Sequence, residues 1–526
     1  LFKEIPFLNG GLFDCLDKED EAGKVIYIDG FSRNPAKQSI IPDYLFFQQK
    51  EEKVDLSQYG LGTNKSVRGL IEILNNYNFT IDENTPLDQE IALDPELLGK
   101  VFENLLASYN PETATTARKA TGSYYTPREI VDYMVEVSLI EYLKEKIPET
   151  GEEKIKTLLS YSEEIPKLSE EEKQKIITAI DEIKILDPAC GSGAFPMGIL
   201  HKIVFVLHKL DPENKYWREQ QYQKALKETE EIFKQGNKDQ REQRLKEINE
   251  AFDENINYPD YARKLYLIEN CIYGVDIQPI AIQIAKLRFF ISLIIEQEKD
   301  SSKKNYGLIP LPNLETKLIS ANSLIPLMRK IKDEIFYKEI ELLEIKLKET
   351  RKRYFFSKSN DEKRELRNQD NNLRIKMMDI IKSYVSGNIP YEWQIMINWN
   401  PYDSSKSAEF FDPFWMFNLS GIETDEISDS GDKEPSYNKC FDIVLGNPPY
   451  VRADNPSIID QRNLIKDTRY YETLYEKWDL YIPFLERSFK LLKPKGLFSF
   501  IISDAYIASK YALLSQEYFL NNAAIN

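Results

Sequence analysis

Apolar positions change their spacing along the chain, and each spacing predicts an element. In PELLGKVFENLLASY, residues Leu97, Leu98, Val101, Phe102, Leu105 and Leu106 recur at helical intervals, as do the apolar residues of SVRGLIEILNNYNF. These runs predict a mainly helical connector domain over 1–115. The small, polar stretch 110–122 reads as a loop. It leads into SYYTPREIVDYMV, which predicts a helix: Thr126 can cap it, Pro127 suits its first turn, and Ile130, Val131, Met134 and Val135 form its apolar stripe.

From there strands and helices alternate. Lys184, Ile185 and Leu186 read as a short strand, followed by the turn DPACGSGAF and the apolar helix MGILHKIVFVLHKL. CIYGVDI is the next strand and QPIAIQIAKLRFFISLII the next helix, while Leu318 and Ile319 end a third strand. Strand FDIVL, helix WDLYIPFLERSFKLL, turn KPKG and strand LFSFIIS complete the series. Such alternation specifies a parallel sheet covered by helices on both faces, so 116–526 reads as a doubly wound α/β domain. Two hydrophilic insertions interrupt it. Residues 211–260, rich in Glu, Lys and Gln, read as solvated helix; residues 328–438 read as helices or coiled coil to 385 and as loop beyond 400.

Composition narrows the class. At 526 residues the chain predicts two to four domains, with 42% hydrophobic and 29% charged residues. No apolar run reaches the roughly 18 residues that cross a bilayer, and no N-terminal export signal is visible. The chain opens on Leu1 within IPFLNGGLF, which already reads as structured sequence, so a piece of a longer polypeptide is expected. Cys15, Cys190, Cys271 and Cys440 lack CxxC spacing, which argues against disulfides and zinc ribbons and for a reducing, cytoplasmic setting. The two histidines, His201 and His208, read as solvated helix positions, so no metal site and no histidine catalysis are expected.

A net charge of -17 argues against a chain whose main business is coating nucleic acid, yet leaves room for a local basic face. The run from Arg351 to Lys376 mixes basic and aromatic residues that could meet phosphates; a solvated helical face is the plainer reading. Pro42-Asp43 with Glu51, Glu52 and Lys53 matches the spacing of a nuclease metal site. QQKEEK is too hydrophilic for the buried strand such a site needs, so that reading is rejected.

Candidate chemistry gathers where strands end. In DPACGSGAF, Gly191 and Gly193 permit a tight turn and the close approach of a ligand, at the sheet edge where doubly wound folds bind nucleotides. The turn lacks the GK[ST] of a phosphate loop and the full dinucleotide glycine pattern. Asp276 ends the following strand, where a carboxylate can accept from ribose hydroxyls or cap the helix that begins near Pro279. Asn322 follows the third strand. Finally FDIVLGNPPYV ends a strand on two prolines, which make a stiff, extended turn and hold Asn447 and Tyr450 still.

Taken in this order, GSYYTPREIVDYMV, DPACGSGAF, GVDIQPIAIQIAKLR and NPPYV resemble the amino-group DNA methyltransferases that modify adenine. With PFLNGGLF and YNFTIDENTPLDQEIALDPELLGKVFENLL added, the chain resembles Type IIG restriction-modification enzymes over nearly all its length. The resemblance implies S-adenosylmethionine as cofactor and double-stranded DNA with a flipped adenine as partner. It implies Asn447 and Pro448 as acceptors from the adenine amine, Tyr450 stacked on the base, and Tyr511 as a second aromatic wall, with a core tyrosine as the alternative for Tyr511. Pro449 is expected to be structural. For the cofactor it implies the loop from Asp187 through Ala189 and Gly191 to Gly193 around the methionine portion, Asp276 at the ribose, Asn322 at the adenine, Thr126 with Pro127 at the amino-acid end, and Ile277 also in the cofactor site. Nuclease and target-recognition domains are expected outside this chain. A Type I modification subunit, a non-catalytic cofactor-binding relative and a protein methyltransferase are the competing readings.

Overall fold

A computed structural model describes residues 126–526 apart from 163, 235–258, 301, 328–333, 386–388, 420–439 and 526, and, of the first 125, only short stretches between 18 and 69. The chain divides into two units, Gly10–Leu98 and the remainder. In the smaller unit β1 (Lys18–Glu19) pairs antiparallel with β2 (Val25–Ile26), and β3 (Glu52–Val54) with β4 (Lys65–Val67). Ser66 and Val67, expected to open a helix, therefore belong to a strand; the other helices expected before 115 lie outside the described residues. The hydrophilic Glu52 and Lys53 lie in a strand, and Lys53 is exposed there, not buried as a nuclease metal site would need.

The larger unit is organised by its most apolar runs. Strands β5 (Ile185–Asp187), β6 (Ile272–Asp276), β7 (Leu318–Ser320), β8 (Phe441–Gly446) and β9 (Leu492–Phe500) form one sheet in the order β7-β6-β5-β8-β9, every pair parallel. Residues of β5 and β8 are buried throughout, as strands covered on both faces must be. The strand order reverses between β5 and β8, the neighbouring pair at which a doubly wound sheet opens a crevice for ligands.

Helices follow in chain order: α1 (Arg128–Lys146), α2 (Glu152–Leu159), α3 (Glu170–Glu182), α4 (Ala194–Leu210), α5 (Lys215–Lys234), α6 (Pro259–Asn270) and α7 (Pro279–Ile294). Beyond β7 come α8 (Glu334–Phe356), α9 (Asn360–Tyr384), α10 (Tyr391–Asn398) and α11 (Pro413–Phe417); beyond β8 come α12 (Ile459–Asp467), α13 (Tyr481–Leu491), α14 (Ala505–Ala508) and α15 (Leu513–Asn522). Helix α1 lies close against α4, because a Cβ at Gly198 would stand 2.5 Å from the Val131 side chain. That approach carries the start of α1 to the sheet's switch point.

Four sequence expectations change. Helix α5 is not simply solvated: Trp217 is fully buried with its ring 5.1 Å from that of Tyr266, and Gln221 Nε2 donates to Asp181 at 2.6 Å. Helices α8 and α9 form an antiparallel hairpin, as the pairs Arg351–Asp370 and Tyr354–Arg367 show, and its charged run is partly internal. Asp370 is wholly buried between Arg351 Nε and Arg374 Nε, 2.7 Å from each, and accepts from Tyr402 at 3.2 Å. The guanidinium groups also reach main-chain carbonyls, Arg351 that of Trp415 at 2.6 Å and Arg374 that of Ile397 at 2.9 Å. Beyond 400, Phe410, Phe411, Trp415, Met416 and Phe417 are buried, and Ala408 and Phe411 extend the β7 edge rather than looping free. Finally KPKG is a bulge inside β9: the pairing passes from Phe441↔Leu492 to Ile443↔Leu497, with Lys495 at φ 64°.

Candidate active site

The site is built on the tips of β5 and β8. After Asp187 the chain must turn back over the sheet into α4, and Gly191 (φ 52°) and Gly193 (φ 87°) supply the left-handed backbone this takes. A side chain at Gly193 would also stand 3.0 Å from Ala285 of α7. The turn is anchored on three sides. Cys190 donates its N–H to the Val275 carbonyl of β6 at 2.9 Å, Gly191 to Asp276 Oδ2 at 3.0 Å, and Arg288 of α7 reaches the Ser192 carbonyl at 3.0 Å.

Two carboxylates face this turn. Asp276 accepts from Gly191 through one oxygen and from the N–H of Gln278 through the other, at 2.8 Å, so it braces both strand-end loops. It does not cap α7, whose N-cap position is Gln278. Asp187 is wholly buried; Oδ1 accepts from Ala189 at 3.1 Å, while Oδ2 has no hydrogen-bond partner among the described residues. Burial pushes the Asp187 carboxyl well above the usual carboxylate range, the Ala189 N–H opposes this and the charge of Asp276 adds to it; burial raises Asp276 as well, against its two backbone donors. A pair of desolvated carboxylates favours a ligand that brings positive charge or hydroxyl donors.

Across the switch point, Gly446 closes β8. Any Cβ there would stand 2.5 Å from Asp187 Oδ1, so only glycine lets β8 pass the aspartate and deliver Asn447 beside the glycine turn. Asn447 Nδ2 then donates to Thr126 Oγ1 at 3.1 Å, which aims the amide oxygen elsewhere. Thr126 thus orients Asn447 instead of capping α1; Pro127 takes the N-cap position and no side chain caps that end. Pro448 is buried, and Tyr450, half-buried, donates its hydroxyl to the Ile501 carbonyl at 2.7 Å. Burial raises the Tyr450 phenol to about 12, so it is neutral at ordinary pH.

The remaining predicted residues divide. Ile277 stands exposed at the tip of β6, an apolar side chain free to cover a ligand ring. Asn322 is buried after β7, its Oδ1 accepting from the Leu324 N–H at 3.2 Å in a local turn. Its neighbour Ser323, which sequence reading passed over, donates to the Pro188 carbonyl at 2.5 Å and so ties the β7 loop to the glycine turn. Tyr511 lies on a short turn, Lys510–Ala512, packed against the core, and meets the hydroxyl of Tyr481 at 3.1 Å; Tyr481 in turn has its ring 6.5 Å from that of Tyr450. His201 and His208 are exposed, and no cluster suited to a metal ion occurs among the described residues.

A parallel sheet that sets a glycine turn, two strand-end carboxylates and a proline-stiffened amide around its switch point defines an α/β protein of the doubly wound class, in which that edge is the usual place for a ligand. Residues 270–526 match the model of the Eco57I restriction-modification methylase family. Over 98% of its length the chain is 25% identical to a Methanocaldococcus jannaschii protein named as a candidate type II restriction enzyme and methyltransferase, of which it covers 40%. It is 40% identical to the type II methyltransferase M.XhoI of Xanthomonas vasicola over 16% of this chain and 15% of that protein. To the type II restriction enzyme and methyltransferase RM.Eco57I of Escherichia coli it is 33% identical over 13% of this chain and 7% of that protein. The chain thus spans less than half the length of these curated relatives.

Proposed function

We propose that this chain is the methyltransferase part of a restriction-modification enzyme and transfers the methyl group of S-adenosylmethionine to the exocyclic amine of adenine in DNA. The observation that carries this is the Asn447 amide, oriented by Thr126 and held against the Asp187–Gly193 turn. The residues present fit the cofactor: Asp187 Oδ2 is a buried acceptor with no partner among the described residues, the turn beside it bends through left-handed backbone at Gly191 and Gly193, and Ile277 is exposed beside Asp276. Asp187 with the turn would hold its cationic methionine end, Asp276 its ribose hydroxyls, and Ile277 and Asn322 its adenine. When bound, S-adenosylmethionine supplies an electrophilic methyl group.

The chain's own residues prepare the nucleophile. An exocyclic adenine amine is weakly nucleophilic because its lone pair is delocalised into the ring. Asn447 Oδ1 and the Pro448 carbonyl would accept hydrogen bonds from the two amine N–H groups, which localises that lone pair and aims it; as the N–C bond forms, the C–S bond breaks with its electron pair left on sulfur, and the methylated amine gives up one proton to solvent. Prolines 448 and 449 keep both acceptors from relaxing, so positioning supplies most of the catalysis. The target base must leave the duplex to reach this corner, and Tyr450 gives its exposed face a ring to stack on. Buried free thiols at Cys190, Cys271 and Cys440 suit a reducing, cytoplasmic setting.

Incubating the protein with labelled S-adenosylmethionine and mixed-sequence DNA, then digesting to nucleosides, is expected to place label on N6-methyladenine; label in cytosine or in protein contradicts the proposal. Proton linkage gives an independent check. Positive charge and hydroxyl donors favour ionised Asp187, so cofactor binding lowers its raised pKa and releases a proton. Affinity therefore rises as pH approaches that raised pKa from below. Calorimetry in two buffers of different ionisation enthalpy should detect proton release with the native protein and less with Asp187→Asn, the remainder coming from Asp276; equal release from both removes Asp187 from the cofactor site.

A further inference from the structure

Asp479 stands one residue ahead of Leu480, the N-cap of α13, close to where an aspartate side chain would ordinarily accept from the first helical N–H groups. It does not cap that helix. Its carboxylate turns across to two other segments instead: Oδ1 accepts from the N–H of Ala453 at 3.1 Å, and Oδ2 accepts from the hydroxyl of Tyr511 at 2.8 Å. Ala453 lies three residues beyond Tyr450, in the loop that leaves the proline corner.

That loop is stitched down on every side. Leu480 donates its N–H to the Val451 carbonyl at 3.0 Å. Arg462 donates to the Ala453 carbonyl at 3.0 Å and to the Glu476 carbonyl at 3.3 Å, with its guanidinium 4.5 Å from the centre of the Trp478 ring. Both backbone polar groups of Ala453 are thus held by side chains, and one of those side chains also holds Tyr511.

We propose that Asp479 is a positioning residue for the target base: it ties the loop that follows Tyr450 to the turn carrying Tyr511, and so fixes where the Tyr450 ring stands beside Asn447. The inference rests on the reading of the Asn447 corner as the base site, and adds to it a joint that holds one wall of that site in place. A carboxylate suits the task, because charge-assisted hydrogen bonds are shorter and about twice as strong as neutral ones. With the joint cut, the loop behind Tyr450 relaxes, and misplacement of about 1 Å is enough to cost up to about 10²-fold in rate.

The test compares Asp479→Ala, Asp479→Asn, Tyr511→Phe and the double variant Asp479→Ala/Tyr511→Phe in the full chain. Three quantities are measured: single-turnover methyl transfer to DNA, equilibrium binding of S-adenosylmethionine, and amide hydrogen exchange over residues 451–455. Asp479→Ala is expected to slow transfer by about 10- to 100-fold with cofactor affinity unchanged within about two-fold, and to speed exchange at 451–455 about ten-fold. Asp479→Asn should recover most of the rate, since its amide can accept from Ala453 and donate to the Tyr511 oxygen. The double variant should lose clearly less than the product of the two single losses, because both changes cut the Asp479–Tyr511 bond, while Tyr511→Phe also removes the contact with Tyr481. Transfer by Asp479→Ala near the native rate, additive losses in the double variant, or an Asn variant no better than Ala overturns the inference. Should the native protein methylate something other than adenine, the functional reading fails by itself; exchange at 451–455 still decides the joint, faster exchange supporting it and unchanged exchange overturning it.

Discussion

Asn447→Ala is expected to lower the rate of methyl transfer by about 10²- to 10³-fold, on the order of 3–4 kcal/mol of transition-state stabilisation, while leaving S-adenosylmethionine affinity within about two-fold. The asymmetry follows from where Asn447 stands. The Asp187–Gly193 turn is anchored by Cys190, Gly191 and Ser192 against β6 and α7. In the proposed mechanism the Asn447 amide oxygen would accept from an amine that develops positive charge, so its removal would weaken the transition state more than the bound ground state. Thr126→Val, which leaves the acceptor but frees the amide to rotate, should show a smaller loss of the same kind. Single-turnover rates and equilibrium binding separate the two quantities; an affinity loss as large as the rate loss would reassign Asn447 to cofactor binding.

Asp370→Ala is expected to be the most destabilising single change in the α8–α9 hairpin, by about 3–5 kcal/mol. Burial pushes the Asp370 carboxyl up, but Arg351 and Arg374 more than reverse this and hold it below the usual carboxylate range. Removing the carboxylate leaves two guanidinium groups, 1% and 7% exposed, without the anion between them. Carbonyl groups of Trp415 and Ile397 satisfy some of their N–H groups but cannot neutralise their charge. Denaturant unfolding followed by tryptophan fluorescence should show an earlier transition, because Trp399 and Trp415 lie within about 5 Å of Arg351. A change below about 1 kcal/mol would mean that water reaches the arginines and that the hairpin is more open than its burial indicates.

The parallel sheet was readable because buried parallel strands are uninterrupted apolar runs: FDIVL and CIYGVDI need no partner information to be recognised. The glycine turn was readable because glycine takes left-handed backbone such as that at 191 and 193 at least cost, and the NPPY corner because consecutive prolines leave few alternatives. Charge pattern misled at Arg351, Asp370 and Arg374, since charges at helical spacing look the same whether they face water or one another. Trp217 was lost inside a Glu- and Lys-rich stretch for the same reason. The pairing of Thr126 with Asn447 had no local signature at all: the two stand 321 positions apart, and Thr126 looked like an ordinary helix cap. Asp479 was hidden similarly, by standing where a capping aspartate is commonplace.

Strand β5 sits in the middle of the sheet, but one of its two neighbours is synthesised very late: Lys184 meets Asp442 across a separation of 258 residues. During translation, β5 can pair early with β6 while its other edge, an apolar strand with unpaired backbone groups, waits for β8 to emerge. At some 5–20 residues per second that wait is on the order of ten seconds to a minute. An open edge of this kind recruits other nascent chains. Slow elongation between β7 and β8 should therefore lower the yield of native protein, and a chaperone that shields the β5 edge should restore it.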